Sequence, residues 1–338
     1  MITLDVRNQV CPPRIRKTNI NKGATVQKEF YFHSSSQSDL WDGMWTTRTI
    51  EQELEACDLE TPARDLFLAC IPKRGRTIDG GCGFAKWVIY LKRLGYDIVG
   101  IDNNELAIAK LKDYDSSLQV ESGDILDIHY PDSSFDAYIS MGVIEHFEDG
   151  PLPALNEAHR VLKPGGLIFV SVPTVNILRK VIRRPLRTLI NALPMSFMAL
   201  RSNWGKSKRR ALFAAAATTA GILPRRIISI LVRILLPQKS WRYHFAEYRY
   251  SKSEVENFLK QSGFEVIKTV PHDFYGARGH TAGLVGDFPF LAARNGTNFQ
   301  LNPVGRLISQ TLNGISPWIA CSSVLCVARV SKNHPQSG

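Results

Sequence analysis

Three carboxylates stand at regular stations, each just after a short apolar run: Asp79, Asp102 and Asp124. The first opens the stretch Asp79-Gly80-Gly81-Cys82-Gly83. Gly81 and Gly83 lack Cβ atoms, so they reach backbone angles that other residues avoid and let a ligand lie against the main chain. A helix that starts after such a loop presents free N–H groups. A pyrophosphate would suit this arrangement, but its fingerprint G-x-G-x-x-G fails here because Lys86 holds the third glycine position. The other ligand that suits the loop is a nucleoside carrying an amino-acid tail.

The acids favour that second ligand. Asp79 ends a strand, where a carboxylate suits an ammonium group and repels a pyrophosphate. Asp102, followed by Asn103, ends the next strand, where an acid accepts hydrogen bonds from both ribose hydroxyls. Asp124, with Ile125 after it, follows the third strand and is placed to accept from an adenine amino group. Ser140-Met141-Gly142 ends the fourth strand, beside the crevice where open α/β sheets bind ligands. The cofactor-site candidates are therefore Asp79, Gly81, Cys82, Gly83, Asp102, Asn103, Asp124, Ile125 and Met141. Each glycine alone reads equally as a tight turn, and Asp102 or Asp124 alone as a helix N-cap. Their joint register is what points to a ligand.

Candidates for moving a proton lie further on. His146 follows the fourth strand, and an unperturbed imidazole titrates near neutrality. A second cluster is Tyr243-His244-Phe245-Ala246-Glu247-Tyr248-Arg249-Tyr250, from which His244 and Glu247 are candidates to face a substrate. The plainer readings are a packed histidine for His146 and a surface Glu–Arg pair for Glu247.

The elements that must position these residues follow from periodicity. Short apolar runs at 77–79, 97–101, 118–120, 135–140 and 166–172 alternate with helical patterns at 84–94, 105–111 and 152–162. Further helical stretches are expected over 49–57 and near Leu66. The alternation stops at Pro173 and resumes with a helix over 253–262, a strand over 264–270 and a final apolar run over 319–330. Strands alternating with helices predict an α/β fold with a doubly wound, mostly parallel sheet.

Charge marks out one segment. The net charge is +11, yet no Asp or Glu occurs from Ala158 to Ala246. Fifteen Lys and Arg fall between Thr174 and Arg242, leaving 27 basic against 31 acidic residues elsewhere. On a helical wheel Ile177, Leu178, Val181, Ile182, Leu186, Leu189 and Leu193 face one way and Arg179, Lys180, Arg183, Arg184 and Arg187 the other. Residues 225–236 repeat the pattern. Amphipathic, basic and free of acids is the composition of a helix lying on an anionic membrane. A helical cap packed on the domain is the alternative, and RNA or glycan contact ranks last because aromatics are sparse there. No stretch reaches the roughly 20 apolar residues that span a bilayer. The six cysteines form no CxxC pair, so a metal ribbon has no support. The start of the chain shows no basic region leading into an apolar run, so no signal peptide is expected. A cytoplasmic location is expected, with peripheral attachment to the inner face of the membrane.

Together these motifs resemble the class I S-adenosylmethionine-dependent methyltransferases, particularly the small-molecule and quinone-type branch. Asp79, Gly81 and Gly83 match the family's glycine-rich motif, Asp102 its ribose acid and Asp124 its adenine-side acid. Residues 135–146 match its fourth-strand segment, and Arg160-Val161-Leu162-Lys163-Pro164-Gly165-Gly166 the turn into its fifth strand. The resemblance covers residues 75–172 well and 247–330 loosely. Three positions depart from it. Ala85 stands where another Gly is common, a change a helix start tolerates. Gly80 stands where a bulky apolar residue is usual. Gly142 stands where some quinone O-methyltransferases carry an extra metal-binding acid, so no metal is expected. The resemblance implies a seven-stranded Rossmann-like fold with S-adenosylmethionine as cofactor. It implies four parts: an N-terminal cap or lid over 1–70, with Tyr31, Trp41 and Trp45, a cofactor core over 71–173, a basic helical insert over 174–242 and a C-terminal part over 243–332. The implied activity is methyl transfer to a small-molecule or lipid-linked acceptor, at oxygen and at a membrane surface. A non-catalytic membrane scaffold and an RNA methyltransferase are the alternatives, and Lys86 speaks against a nicotinamide dehydrogenase.

Overall fold

The computed structural model describes residues 27–33, 49–174, 242–272, 291–295, 298–301, 303–319 and 321–331. In chain order the elements are β1 (Gln27–His33), α1 (Ile50–Leu59), α2 (Thr61–Cys70), β2 (Arg76–Gly80), α3 (Lys86–Arg93), β3 (Asp97–Asp102), α4 (Glu105–Tyr114), β4 (Val120–Ser122) and β5 (Phe135–Met141). A 3-10 turn over Ile144–His146 leads to α5 (Leu152–Val161), β6 (Leu162–Pro173), β7 (Arg242–Arg249), α6 (Lys252–Gln261) and β8 (Phe264–His272). Then come β9 (Leu291–Asn295), β10 (Asn298–Leu301), α7 (Pro303–Ile315) and β11 (Ser323–Val330).

Seven strands form one sheet in the order β4-β3-β2-β5-β6-β11-β8. The pairs from β4 through β6 are parallel, and β11 runs antiparallel to both its neighbours. This is the doubly wound sheet that the alternating pattern predicts. The strand order reverses between β2 and β5, the switch point at which such sheets hold ligands.

Both faces are covered. α1 to α4 close one face around Phe67, Trp87, Val88, Leu91, Leu111, Ile139 and Phe169. Phe67 meets Trp87 and Phe169 edge-to-face at 4.8 and 5.0 Å, contacts worth about 0.5–1.5 kcal/mol each beyond their burial. α5, α6 and β7 close the other face around Ile78, Tyr138, Leu155, Ile168, Val170 and Leu259. Central strands buried on both sides read as continuous apolar runs, which is why 168–172 stands out in the sequence.

Several expected boundaries move: the strand expected over 166–172 starts at Leu162 and the last one starts at Ser323, and two further shifts have a visible cause. The helix predicted over 84–94 begins at Lys86, because Ala85 adopts φ 51° and ψ 35° and breaks the helical path before it. The strand predicted over 118–120 lies at Val120–Ser122, because Leu118 is a buried apolar residue in a turn. β1 and β7 form a separate antiparallel pair in which Tyr31 is opposite His244. The Tyr31 side chain, Trp41, Trp45 and the basic insert from 175 to 241 lie outside the described residues. No helix among the described residues is long and apolar enough to cross a membrane.

Candidate functional site

Parallel strands end at a common edge, so three acids far apart in sequence arrive side by side. Asp79 pairs in register with Gly100 and Ile139, and Asp102 with Ser122. Asp79, Asp102 and Asp124 therefore follow one another along the carboxyl edge of three adjacent strands.

The loop after β2 is built by backbone bonds to β3. The amides of Gly81 and Cys82 both donate to the Ile101 carbonyl, at 2.7 and 3.0 Å. Gly81 has φ +79°, and a Cβ there would lie 2.6 Å from both γ-methyls of Val143. Gly83 has φ +54° and donates its amide to Asp102 Oδ2 at 2.7 Å. The second oxygen of Asp102 accepts from the Asn104 amide at 2.9 Å. Burial pushes Asp102 above the usual carboxylate range, against the pull of those two N–H groups. Asp102 is not the N-cap of α4. That role falls to Asn104, whose side chain accepts from Ala107 at 2.8 Å. An Asn just before an acidic helix start is a signal the sequence does offer.

Asp79 is the most constrained of the acids. It is only 3% exposed, and no side chain among the described residues hydrogen-bonds to it. Burial pushes its carboxyl up to about 7, with Lys86 opposing and Asp102 adding. A buried carboxylate without a partner is costly, and a cationic group arriving at the site relieves that cost.

The remaining cofactor candidates divide. The Cys82 thiol packs toward β3, where a Cβ on Gly100 would lie 2.9 Å from Sγ, and it also donates to the Gly83 carbonyl at 3.9 Å. Asn103 is exposed, Ile125 is buried in the core and Met141 is half-buried at the end of β5. Asp124 is exposed and accepts from the Leu126 amide at 2.9 Å, which fixes the turn after β4. A cavity of about 230 Å³ opens there, lined by Ile101, Ser122, Gly123, Asp124, Ile128 and Tyr130.

At the end of β5 a second group of charges converges. His146 Nε2 lies 3.8 Å from Glu145 Oε1. β7 packs on this turn, and the Tyr248 hydroxyl donates to the Glu148 carbonyl at 2.8 Å. Glu247 and Arg249, two residues apart on one strand and hence on one face, pair at 2.5 Å. Glu145 is 1% exposed, and its Oε2 has no hydrogen-bond partner. Burial holds Glu145 well above the usual carboxylate range, Glu247 adds to the shift and Arg249 opposes it. Glu145 thus links His146 beside it to the charge of Glu247 on β7, while the His244 side chain lies outside the described residues. The Glu–Arg pair that is the plainer reading of Glu247 is formed, with both side chains largely covered. The burial of Glu145 could not be seen from spacing.

These residues fit S-adenosylmethionine. The loop leaves no room for a Cβ at Gly81, Asp79 is a buried acid with no hydrogen-bonding side chain among the described residues, and Asp102 stands one strand away. Among the described residues no three His, Cys, Asp or Glu side chains are grouped to hold a metal ion.

Comparison with known proteins agrees with this geometry. Residues 78–170 match the family model described as "Methyltransferase domain". A "Demethylmenaquinone methyltransferase" of Staphylococcus epidermidis is 32% identical over 120 residues, covering 33% of this chain and 49% of the relative. A "Ubiquinone biosynthesis O-methyltransferase" of Cereibacter sphaeroides is 35% identical over 113 residues, covering 32% of this chain and 45% of the relative. A Mycolicibacterium smegmatis protein described as "Probable S-adenosylmethionine-dependent methyltransferase" is 28% identical over 96 residues, 28% of this chain and 37% of the relative. The chain spans about half the length, or less, of these curated relatives. The sheet with its glycine loop is a class I S-adenosylmethionine-dependent methyltransferase domain, and S-adenosylmethionine is the cofactor of that fold.

Proposed function

We propose that this protein transfers a methyl group from S-adenosylmethionine to the oxygen of a small-molecule or lipid-linked acceptor of quinone type. The observation that carries the reading is the position of the Glu145–His146–Glu247–Arg249 group, at the end of β5 on the sheet edge that also holds Asp79 and Asp102. The relatives named for demethylmenaquinone and for ubiquinone biosynthesis support the acceptor class, and the O-methyltransferase among them supports oxygen.

When bound, S-adenosylmethionine supplies a methyl group on a cationic sulfonium that a nucleophile displaces. Asp79 receives the ammonium group of its amino-acid tail. Asp102 and Asn103 hold the ribose, with Asp124 and Ile125 on the adenine side. The backbone of Gly81, Cys82 and Gly83 borders the tail, and Met141 flanks the transfer path. Holding two reactants in line supplies much of the rate of such a displacement. A hydroxyl nucleophile must lose its proton, and His146 takes it and passes it to water. Glu145 fixes the imidazole from within the core, and the Glu247–Arg249 pair, with His244 beside it on β7, borders the acceptor. The basic segment 174–242 brings the protein to an anionic lipid surface where such an acceptor resides.

Incubating the protein with cofactor labelled on its methyl group, together with separate lipid, glycan, RNA and protein fractions, tests this reading. Label is expected in the lipid fraction as an alkali-stable methyl ether, and it is expected to fall at least tenfold in His146→Ala. Label in RNA or protein, or in no fraction, overturns the acceptor class.

A further inference from the structure

We infer that Lys86, held in place by Glu60, is a positioning residue of the cofactor site: its positive charge opposes the burial that favours a protonated Asp79, and so favours the carboxylate form that receives the cofactor's ammonium group. This rests on the cofactor site and is independent of the acceptor.

The geometry starts from the pleat of β2. Ile78 packs in the core on the α5 side of the sheet, and a Cβ on Gly80 would meet Tyr138 on that same side. Alternation then turns Asp79 to the opposite face, the one covered by α1, α2 and α3. Lys86 is the first residue of α3, directly after the glycine loop, and so opens the helix that covers this face. Its ammonium group lies 2.5 Å from Glu60 Oε1, and the Glu60 side chain is fully buried just before α2. The other oxygen of Glu60 lies 3.9 Å from Nε2 of His272, itself at 0% exposure at the end of β8. Lys86 and His272, from the start of α3 and the end of β8, thus converge on the buried Glu60 carboxylate beside the loop.

The charges around Asp79 leave Lys86 a singular role. From β3 comes Asp102, from the loop the Cys82 thiol, from β5 the Tyr138 hydroxyl, and from α3 Lys86. Among these Lys86 is the one cation, and every other group either is neutral or disfavours a second negative charge. Around Lys86 stand Glu60, Glu53 and the Cys57 thiol, which donates to the Lys86 carbonyl at 3.7 Å. Burial by itself would lower Lys86, but those carboxylates outweigh it and keep the side chain charged. Lys86, which opens the helix over the face that Asp79 occupies, pulls the Asp79 carboxyl down, and Glu60 in turn holds Lys86 charged. Glu60 therefore fixes the cation, and the cation acts on Asp79.

Calorimetric titration with S-adenosylmethionine across about pH 5.5 to 9 tests this. Affinity of the wild-type protein is expected to rise through about pH 7, where Asp79 ionises. Lys86→Gln is expected to move that rise up by about one pH unit, which makes binding about tenfold weaker at neutral pH. Lys86→Arg restores the wild-type profile, and in an Asp79→Asn background Lys86→Gln produces no further change. If Lys86→Gln does not fold, the Glu60→Gln/Lys86→Met double variant removes both charges without stranding one, and the same upward move is expected. A carbon-13 titration of the Asp79 carboxyl in the cofactor-free protein reads the same displacement without any ligand. Superimposable pH profiles, or a loss of affinity equal at every pH, overturn the inference. Failure of the wild-type protein to bind the cofactor at all counts against the site itself, and the carbon-13 titration still decides what Lys86 does to Asp79.

Discussion

Asp102 reaches back across 19 residues of sequence to accept the Gly83 amide at 2.7 Å. Its other oxygen accepts from Asn104 at 2.9 Å. One carboxylate at the tip of β3 therefore holds both the loop after β2 and the entry to α4, and a nucleoside ribose must meet an acid already fixed in place. A fixed acceptor does not lose further freedom when a ligand arrives, which favours tight binding.

Asp102→Ala removes the ribose acceptor and frees the Gly83 amide together. Cofactor affinity is expected to fall by about a hundredfold or more, since each hydrogen bond to a charged group contributes about 1.5–3 kcal/mol. Asp102→Asn keeps one oxygen acceptor and is expected to lose about tenfold. Isothermal calorimetry separates the two, and equal losses in both variants would refute the double role.

Asp79 makes a stability prediction with a definite sign. Its folded value, about 7, is above the ordinary aspartate value of about 3.9. The folded state therefore holds a proton that the unfolded state has released between those two values, and stability falls as pH rises through that window. Asp79→Asn never carries the charge. It is expected to be more stable than wild type by about 1–3 kcal/mol at pH 8, with the gap closing toward pH 4. Its cofactor affinity is expected to be reduced but measurable at both ends. Thermal melts at the two pH values check this, and an Asp79→Asn protein that melts below wild type at pH 8 would contradict it.

Gly80 and Tyr138 exchange volume. A Cβ on Gly80 would stand 2.1 Å from the Tyr138 hydroxyl and 2.6 Å from Cζ, so the ring fills the space a larger residue would take. The hydroxyl itself is buried without a hydrogen-bond partner. Gly80→Leu alone is expected to destabilise by about 3 kcal/mol through overpacking. Tyr138→Ala alone is expected to cost about 3 kcal/mol through the cavity it leaves. The double variant is expected to recover more than about 1 kcal/mol of the summed loss, because one change fills what the other empties. Urea denaturation of the four proteins supplies the cycle, and simple additivity would argue against the exchange.

Much of this was legible in the sequence because parallel strands buried on both faces leave continuous apolar runs, and their acids then stand at one edge of the sheet. The register of Asp79, Asp102 and Asp124 needs no more than that. What lay hidden depends on contacts between distant segments. The Glu60–Lys86 pair joins the start of α2 to the start of α3, and neither residue signals the other by spacing. The burial of Glu145 depends on β7, which is laid over it from about 100 residues further along the chain. Phe84 misled the helical period, because it is buried at a helix-like interval although its backbone belongs to the loop.

Ala85 shows the same limit at one residue and supports a final prediction. Alanine at a helix start reads as innocuous, yet here it sits in the left-handed region with φ 51° and is fully buried. That conformation costs an L-residue with a Cβ about 1–2 kcal/mol. Replacing it with glycine relieves the strain, but it also frees the unfolded chain and removes a buried methyl worth about 0.8 kcal/mol. Ala85→Gly is therefore expected to be neutral within about 1 kcal/mol and to keep cofactor affinity. Ala85→Val places a β-branched side chain in the same backbone region with no space around it, and a loss of more than about 3 kcal/mol is expected. Denaturation midpoints at unchanged slope measure both changes. A valine variant as stable as wild type would mean that the loop leaves the left-handed region at Ala85, and with it the tight approach of Gly81 to Val143.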